Sequence, residues 1–427
     1  MAQVPLLLNS RRTLAVLTAI NLLNIYDRVV LGAITEPLRK EFHLSDTQVG
    51  LLGTGFTLVY ALAGLPMGRL ADTWSRKYLL SAGIFVWTAL TAASGWAMSY
   101  PALLLTRLGV AIGEAVCGPA ATSWIGDLFP RDRRARAMAV FMLGVPLGNA
   151  LSFLINGPIT QAWGWRIALT SAALPAILLL PLLTREVEPQ RGAAGSLASP
   201  GAFPWQLLRI PTLWWIIASG AIVNFILYAL SAFQAAFLTR FHGLSVAQAG
   251  AGTGIAFGAG GVIAGLCGGY LGDRMIRRRA DGRMLLAAAA ALMAVPTSLV
   301  AITQPAGTAS WALVWLSVSY GLLSAYYGLV YATIQDIVTA DLRGTAMAVY
   351  FLAMYLCGAS FGPLITGNLS DRLAERAAAA AGLAAATEAF RAIGLRQAMF
   401  VIPVLTGALA LVLYAGAVTL RRRSWHN

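Results

Sequence analysis

Long apolar runs separated by short polar intervals dominate the chain. Crossing a bilayer as a helix takes roughly 20 apolar residues. Twelve runs meet that need: 13–35, 47–69, 78–98, 102–126, 137–160, 166–184, 212–238, 247–271, 284–303, 309–334, 345–368 and 397–420. A membrane barrel would instead alternate apolar and polar positions in segments of about 10 residues, and no such segments appear. The pattern predicts an all-α membrane protein. Its one long polar stretch between runs, residues 185–209, is rich in Pro, Gly and Ser and separates two sets of six. An N-terminal six-helix bundle over 1–184, a cytoplasmic linker over 185–209 and a C-terminal six-helix bundle over 210–427 follow. Within the last, residues 370–396 are Ala-rich, with Leu383, Phe390 and Ile393 at roughly helical spacing. They predict a short helix lying on the outer membrane surface.

The two halves repeat one another. "GRLADTWSRK" (68–77) follows the second run and "GYLGDRMIRR" (269–278) follows the eighth, with Gly, Leu, Asp and two terminal bases in register. "AMAVF" (137–141) and "AMAVY" (346–350) open the fifth and eleventh runs, and the same offset carries Asp127 onto Asp336. A duplication in one orientation implies a pseudo-two-fold axis along the membrane normal, with a pathway where the halves meet.

Composition agrees with the pattern: 58% of residues are hydrophobic and 11% charged, too little charge to cover a soluble surface. The net charge of +14 could indicate nucleic acid, but the basic residues are distributed otherwise. About two thirds of the 31 lysines and arginines fall on the side that holds both termini, which the positive-inside rule makes cytoplasmic. Membrane lipids, and not nucleic acid, are the expected partner of this charge. The chain is expected as a monomer, multi-pass, in a bacterial inner membrane, since abundant Ala and Arg fit a GC-rich genome. No cleavable signal peptide is expected before the first run.

Away from their ends, the apolar runs hold four charges. A charge at the bilayer centre costs at least ~2.5–3.5 kcal/mol, so all four must face one another or a wet cavity. Arg107 and Glu114, seven residues apart, share one helix face about 10 Å apart along the axis. Asp27 lies at nearly the depth of Arg107, whereas no base stands obviously at the level of Glu114. An acid so placed can load and release a proton as its surroundings change. Asp27 and Glu114 are thus the expected proton-coupling carboxylates, with Arg28 and Arg107 supplying positive potential for an anionic headgroup. The second half has Leu316 and Leu323 at the positions matching Arg107 and Glu114. Asn24 and Tyr26, with Asn224, Tyr228, Tyr320, Tyr327 and Tyr331 of the second half, are expected to line a cavity. An amphiphile suits this asymmetry, its head toward the charged half and its tail toward the apolar one. In the loops, Asp72, Arg76, Lys77 and Asp127, with Asp273, Arg278 and Asp336, are expected to form a conformational latch.

The loop "GRLADTWSRK" resembles the signature loop of the major facilitator superfamily, and the twelve runs, central linker and weaker second copy extend the resemblance over the whole chain. "NLLNIYDRVVLG", "RLGVAIGEA" and "GDLFPRDRRARAMAVF" resemble the spinster-type lipid transporters, which place functional acids in the first and fourth helices. The resemblance implies a proton-coupled carrier of lysophospholipid- or sphingolipid-like amphiphiles. The anion:cation symporters share the Asp-Arg pair and the Arg-to-Glu spacing, so small organic anions such as sugar acids, or drugs, are the alternative cargo.

Other signals lead to no chemistry. "GTGIAFGAGGVIAG" (252–265) lies within a run and lacks the preceding strand and Lys-Ser/Thr end of a nucleotide loop, so small-residue packing explains it. His43, His242 and His426 are too scattered for a metal site. Neither an enzyme nor a cofactor is expected, the proton being the coupling ion.

Overall fold

The computed structural model describes residues 3–190, 207, 209–339 and 342–423, so most of the linker's 191–209 lies outside the described residues. The first half runs α1 (Gln3–Phe42), α2 (Asp46–Thr73), α3 (Arg76–Ser94), α4 (Tyr100–Glu114), α5 (Cys117–Leu128), α6 (Arg131–Met142), α7 (Gly144–Trp163) and α8 (Trp165–Thr184). The second runs α9 (Pro211–His242), α10 (Val246–Ile276), α11 (Gly282–Thr303), α12 (Ala309–Ile337), α13 (Arg343–Met354), a π-helical turn (Tyr355–Ala359), α14 (Phe361–Ala380), α15 (Glu388–Ala398) and α16 (Val401–Arg423). No strand occurs among the described residues. Among the described residues eleven stretches are long and apolar enough to span a membrane, and α3, which carries Arg76 and Lys77 in its first turn, is the twelfth by position.

Among the described residues four candidate spans are interrupted, and a proline stands four residues beyond each break. A proline lacks an N–H and its ring crowds the carbonyl four residues earlier. Pro119 breaks the fourth span at Ala115, Pro146 ends α6 at Met142, Pro363 closes the π-turn at Ala359, and Pro403 follows the turn at Met399 that parts α15 from α16. The duplication also shows in the caps. Ser45 and Ser245 each close a capping box with the Gln three residues on, opening α2 and α10.

In the first half α1 packs on α7 and α8, and α3 on α4 and α8; in the second α11 packs on α12 and α16, and α9 on α16. The halves meet where α7 crosses α10, α2 meets α14 and α1 meets α9. The face where α1 begins and α16 ends is the near face here, and its opposite the far face. Toward the far face the seams are tight. A methyl group on Gly50 would come within 2.7 Å of the Pro363 carbonyl carbon, and one on Gly254 within 2.7 Å of the Ala150 oxygen. Toward the near face, Gly64 on α2 and Gly265 on α10 meet nothing within 4 Å. The molecule is open on its near side.

Residues 370–396 depart from the expected surface helix. α14 continues through Ala380, because "SDRLAERAAAA" holds no helix breaker and alanine is the strongest helix former. After a turn at Gly382, α15 packs back on α14, where Gly394 lies against Ala374.

Candidate functional site

Asp27 and Arg28 lie midway along α1, and Arg107 and Glu114 two turns apart on α4. Their side chains form two pairs. Arg107 donates to Asp27 Oδ1 at 3.2 Å and to the Asp27 carbonyl at 3.1 Å, while Thr91 of α3 donates to Asp27 Oδ2. Both partners are buried, Arg107 fully. Their shared depth is the one the helix registers predict. The second pair corrects the sequence reading, which places no base beside Glu114. Arg28 Nε donates to Glu114 Oε2 at 3.2 Å, and Arg28 Nη2 to Asn24 Oδ1 at 3.0 Å. Helical side chains lean toward the helix N-terminus, so Arg28 runs back past Asn24, one turn earlier, to the level of Glu114. The other Glu114 oxygen, Oε1, is buried without a hydrogen-bond partner.

Arg28 is the member of this quartet that reaches a cavity. Arg28, Thr35, Phe56, Thr57, Tyr228 and Pro363 are among the residues that line it, between the halves. The Arg28 guanidinium lies over the Tyr60 ring at 4.0 Å, Tyr60 meets Tyr355 edge-on at 5.5 Å, and Tyr355 meets Tyr228 at 6.3 Å. Thus an aromatic chain crosses from α2 to the π-turn and on to α9. Tyr60 and Tyr355 are absent from the sequence-based selection, because only the π-turn and the α2–α14 seam bring them together.

The remaining wall residues divide. Tyr228, Tyr327 and Tyr331 are partly exposed, and the Tyr327 hydroxyl donates to Asn224 Oδ1 at 2.9 Å. Tyr26 and Tyr320, expected on the cavity, are buried in packing instead: Tyr26 at the α1–α7 contact, where Ser152 donates to its carbonyl, and Tyr320 stacked on Phe257. Arg107, expected at a headgroup with Arg28, is committed to Asp27.

The near-face loops gather much of the expected latch. Arg76 is fully buried, 2.6 Å from Asp127 and 2.9 Å from Glu188, and Lys77 donates to the Thr184 and Glu186 carbonyls. Glu188, a linker residue the sequence did not single out, also accepts from the Ser75 hydroxyl and from the Arg76 and Lys77 amides. Burial alone would push its pKa up, but these bonds bring it down to about 2. Asp72 ends α2, exposed. In the second half Asp273 and Asp336 converge, but on Arg283 (2.9 and 2.5 Å) and not on Arg278. Arg278 lies in the exposed turn after α10, whereas Arg283 sits on the first turn of α11, which packs on both α10 and α12.

A second cluster, unforeseen from the sequence, joins the halves at the far face. Arg240, from the end of α9, forks onto Asp46 at 2.7 and 2.8 Å and pairs with Glu36 of α1. Arg39 of α1 pairs with Glu36 and, in the other half, with Glu388 of α15. Glu36, Arg39 and Asp46 are each at most 5% exposed. The words "TEPLRK" and "HLSD" carry these charges openly, but helix-end charges look solvated until their partners from the other half are placed.

Residues 17–363 match the profile of the Major Facilitator Superfamily. An MFS-type efflux pump of Mycolicibacterium smegmatis is 32% identical over 365 residues, 84% of each chain. Protein spinster homolog 1 of Homo sapiens is 28% identical over 387 residues, covering 84% of this chain and 72% of that one. The crystal structure of a bacterial homolog to the human lysosomal transporter spinster, inward-facing and unoccupied, matches with a TM-score of 0.84 at 28% identity, over 96% of this chain and 98% of that one. The chain belongs to the Major Facilitator Superfamily and is a spinster-like secondary transporter, not an enzyme.

Proposed function

We propose that the protein moves a lysophospholipid- or sphingolipid-like anionic amphiphile across a bacterial inner membrane by alternating access, coupled to protons, with both termini in the cytoplasm. One observation carries this reading: Arg28 stands between the cavity and Glu114, whose second oxygen is unpartnered. An anionic headgroup entering the cavity competes with Glu114 for Arg28. Once Arg28 turns to the headgroup, Glu114 is left buried without its base and takes a proton. The Asp27–Arg107 pair, sealed by Thr91, holds α1 against α4 while this exchange proceeds. Tyr228, which lines the cavity, and the partly exposed Tyr327, Tyr331 and Tyr355 of the same half supply an apolar surface with hydroxyl edges for the rest of the amphiphile. The positive-inside distribution supports a cytoplasmic near face, as does the likeness to an inward-facing spinster homolog.

The relative described as an MFS-type efflux pump supports export, and a second reading makes small organic anions or drugs the cargo. Thermal unfolding of detergent-purified protein separates the two. Stabilisation by lysophospholipids but not by sugar acids or cationic drugs, lost in Arg28→Gln, supports the lipid reading; the converse pattern overturns it.

A further inference from the structure

At the far end of α2, one of the strongest cross-half contacts is a helix cap. Ser45 caps the helix from within its own half, accepting from the Gln48 amide at 3.2 Å. Two further amides at the same N-terminus point away from Ser45 and are taken by the other half. The Asp46 amide donates to Asp371 Oδ1 at 2.9 Å, and the Thr47 amide and hydroxyl donate to Asp371 Oδ2 at 2.8 and 2.7 Å. Asp371 belongs to α14, so one carboxylate satisfies three donors across the interface. The fit around it is close: Ser370 donates to Asp46 Oδ2 at 2.6 Å, and Arg240 of α9 forks onto the same carboxylate. Free helix N-termini leave amides unsatisfied and carry positive partial charge, so an acid supplied from elsewhere both bonds and neutralises them.

We infer that Asp371 is the far-face latch of the transport cycle: an acid of the second half that caps α2 of the first only while the near side is open. Opening the far face must draw α14 from α2 and return the Asp46 and Thr47 amides to water. The Ser45 cap, internal to one half, is unaffected by that movement. Asp371 thus stabilises one conformation over the other, whereas Ser45 stabilises both alike.

Spin-label distances across the far face test this, without substrate or a proton gradient, so the outcome is independent of the proposed cargo and coupling. Labels at Met98→Cys and Ala306→Cys, two exposed far-face positions in opposite halves, would be placed on a background with the three native cysteines replaced. Removing a cap of this size shifts a two-state ratio roughly 5- to 30-fold. Asp371→Ala is therefore expected to raise the far-open population by that factor, with Asp371→Asn, which keeps one acceptor, in between. Ser45→Ala should lower thermal stability and leave the distances unchanged. Should Asp371→Ala fold poorly, Thr47→Val removes a single bond of the three and is expected to move the ratio about 2- to 5-fold the same way. Unchanged distances in the Asp371 and Thr47 variants, or an equal shift in Ser45→Ala, would overturn the latch.

Discussion

Asp27 and Arg28 are neighbours in sequence with separate tasks, because adjacent helical residues point about 100° apart. Asp27 faces α4 and is sealed with Arg107, while Arg28 turns toward the cavity and Glu114. The shared depth of the first pair was legible from the sequence, since it follows from counting residues along two antiparallel helices. The pairing was not: Asp27, expected to carry protons, and Arg107, expected to face a headgroup, are each committed to the other. The second pair was not legible, because counting Cα positions ignores the reach of an arginine leaning back along its own helix; Asn24, four residues earlier, was the available clue. Truncating one member of a buried pair strands the other. Arg107→Ala is therefore expected to destabilise the protein by about 3–5 kcal/mol, seen as a large drop in thermal midpoint. Arg28→Lys retains the charge but loses the planar fork that serves Asn24 and Glu114 and the contact over Tyr60. It is expected to lower the initial rate of amphiphile uptake roughly 10-fold while changing stability little.

Interruption by proline and close approach by glycine decide how the helices behave as elements. The sequence marks "GVPLG" and "GASFGPLITG" as places where helices bend and approach. The structure adds the cause, a break four residues before each proline, and a π-turn that presents Tyr355 to Tyr60. Gly254 lies on the α7–α10 seam, where a side chain would strike Ala150 and Leu154. Gly254→Val should wedge that seam and lower the near-open population at least 5-fold by spin-label distances, whereas Gly265→Val, in open space, should not. The described start of the linker docks on α3, since Glu188 caps that helix and holds Arg76. The folded Glu188 carboxyl titrates at about 2, below its ordinary 4.5. Its contribution is therefore complete above about 4.5 and disappears as pH falls toward about 2. Thermal midpoints measured between pH 6 and pH 3 should fall more steeply, below about 4.5, in the wild type than in Glu188→Gln.

The molecule as a whole opens on one face because opposite charges close the other. Hydrophobic periodicity announced twelve spans, two sets and a duplication, since those features repeat along the chain. The far-face cluster was illegible for the converse reason: Glu36, Arg39, Asp46, Arg240, Asp371 and Glu388 come from five helices and acquire their cross-half partners only when the halves are docked. The same holds for the substitution of Arg283 for Arg278, which depends on packing across three helices. Everything proposed about transport rests on Arg28 releasing Glu114 to take a proton. Uptake of labelled lysophospholipid into proteoliposomes, with pH gradients imposed in both directions, measures this directly for the wild type and Glu114→Gln. Wild-type uptake should follow the sign of the gradient, and Glu114→Gln should lose that dependence while still exchanging substrate down its own concentration gradient. Gradient-driven uptake by Glu114→Gln at the wild-type rate would contradict it.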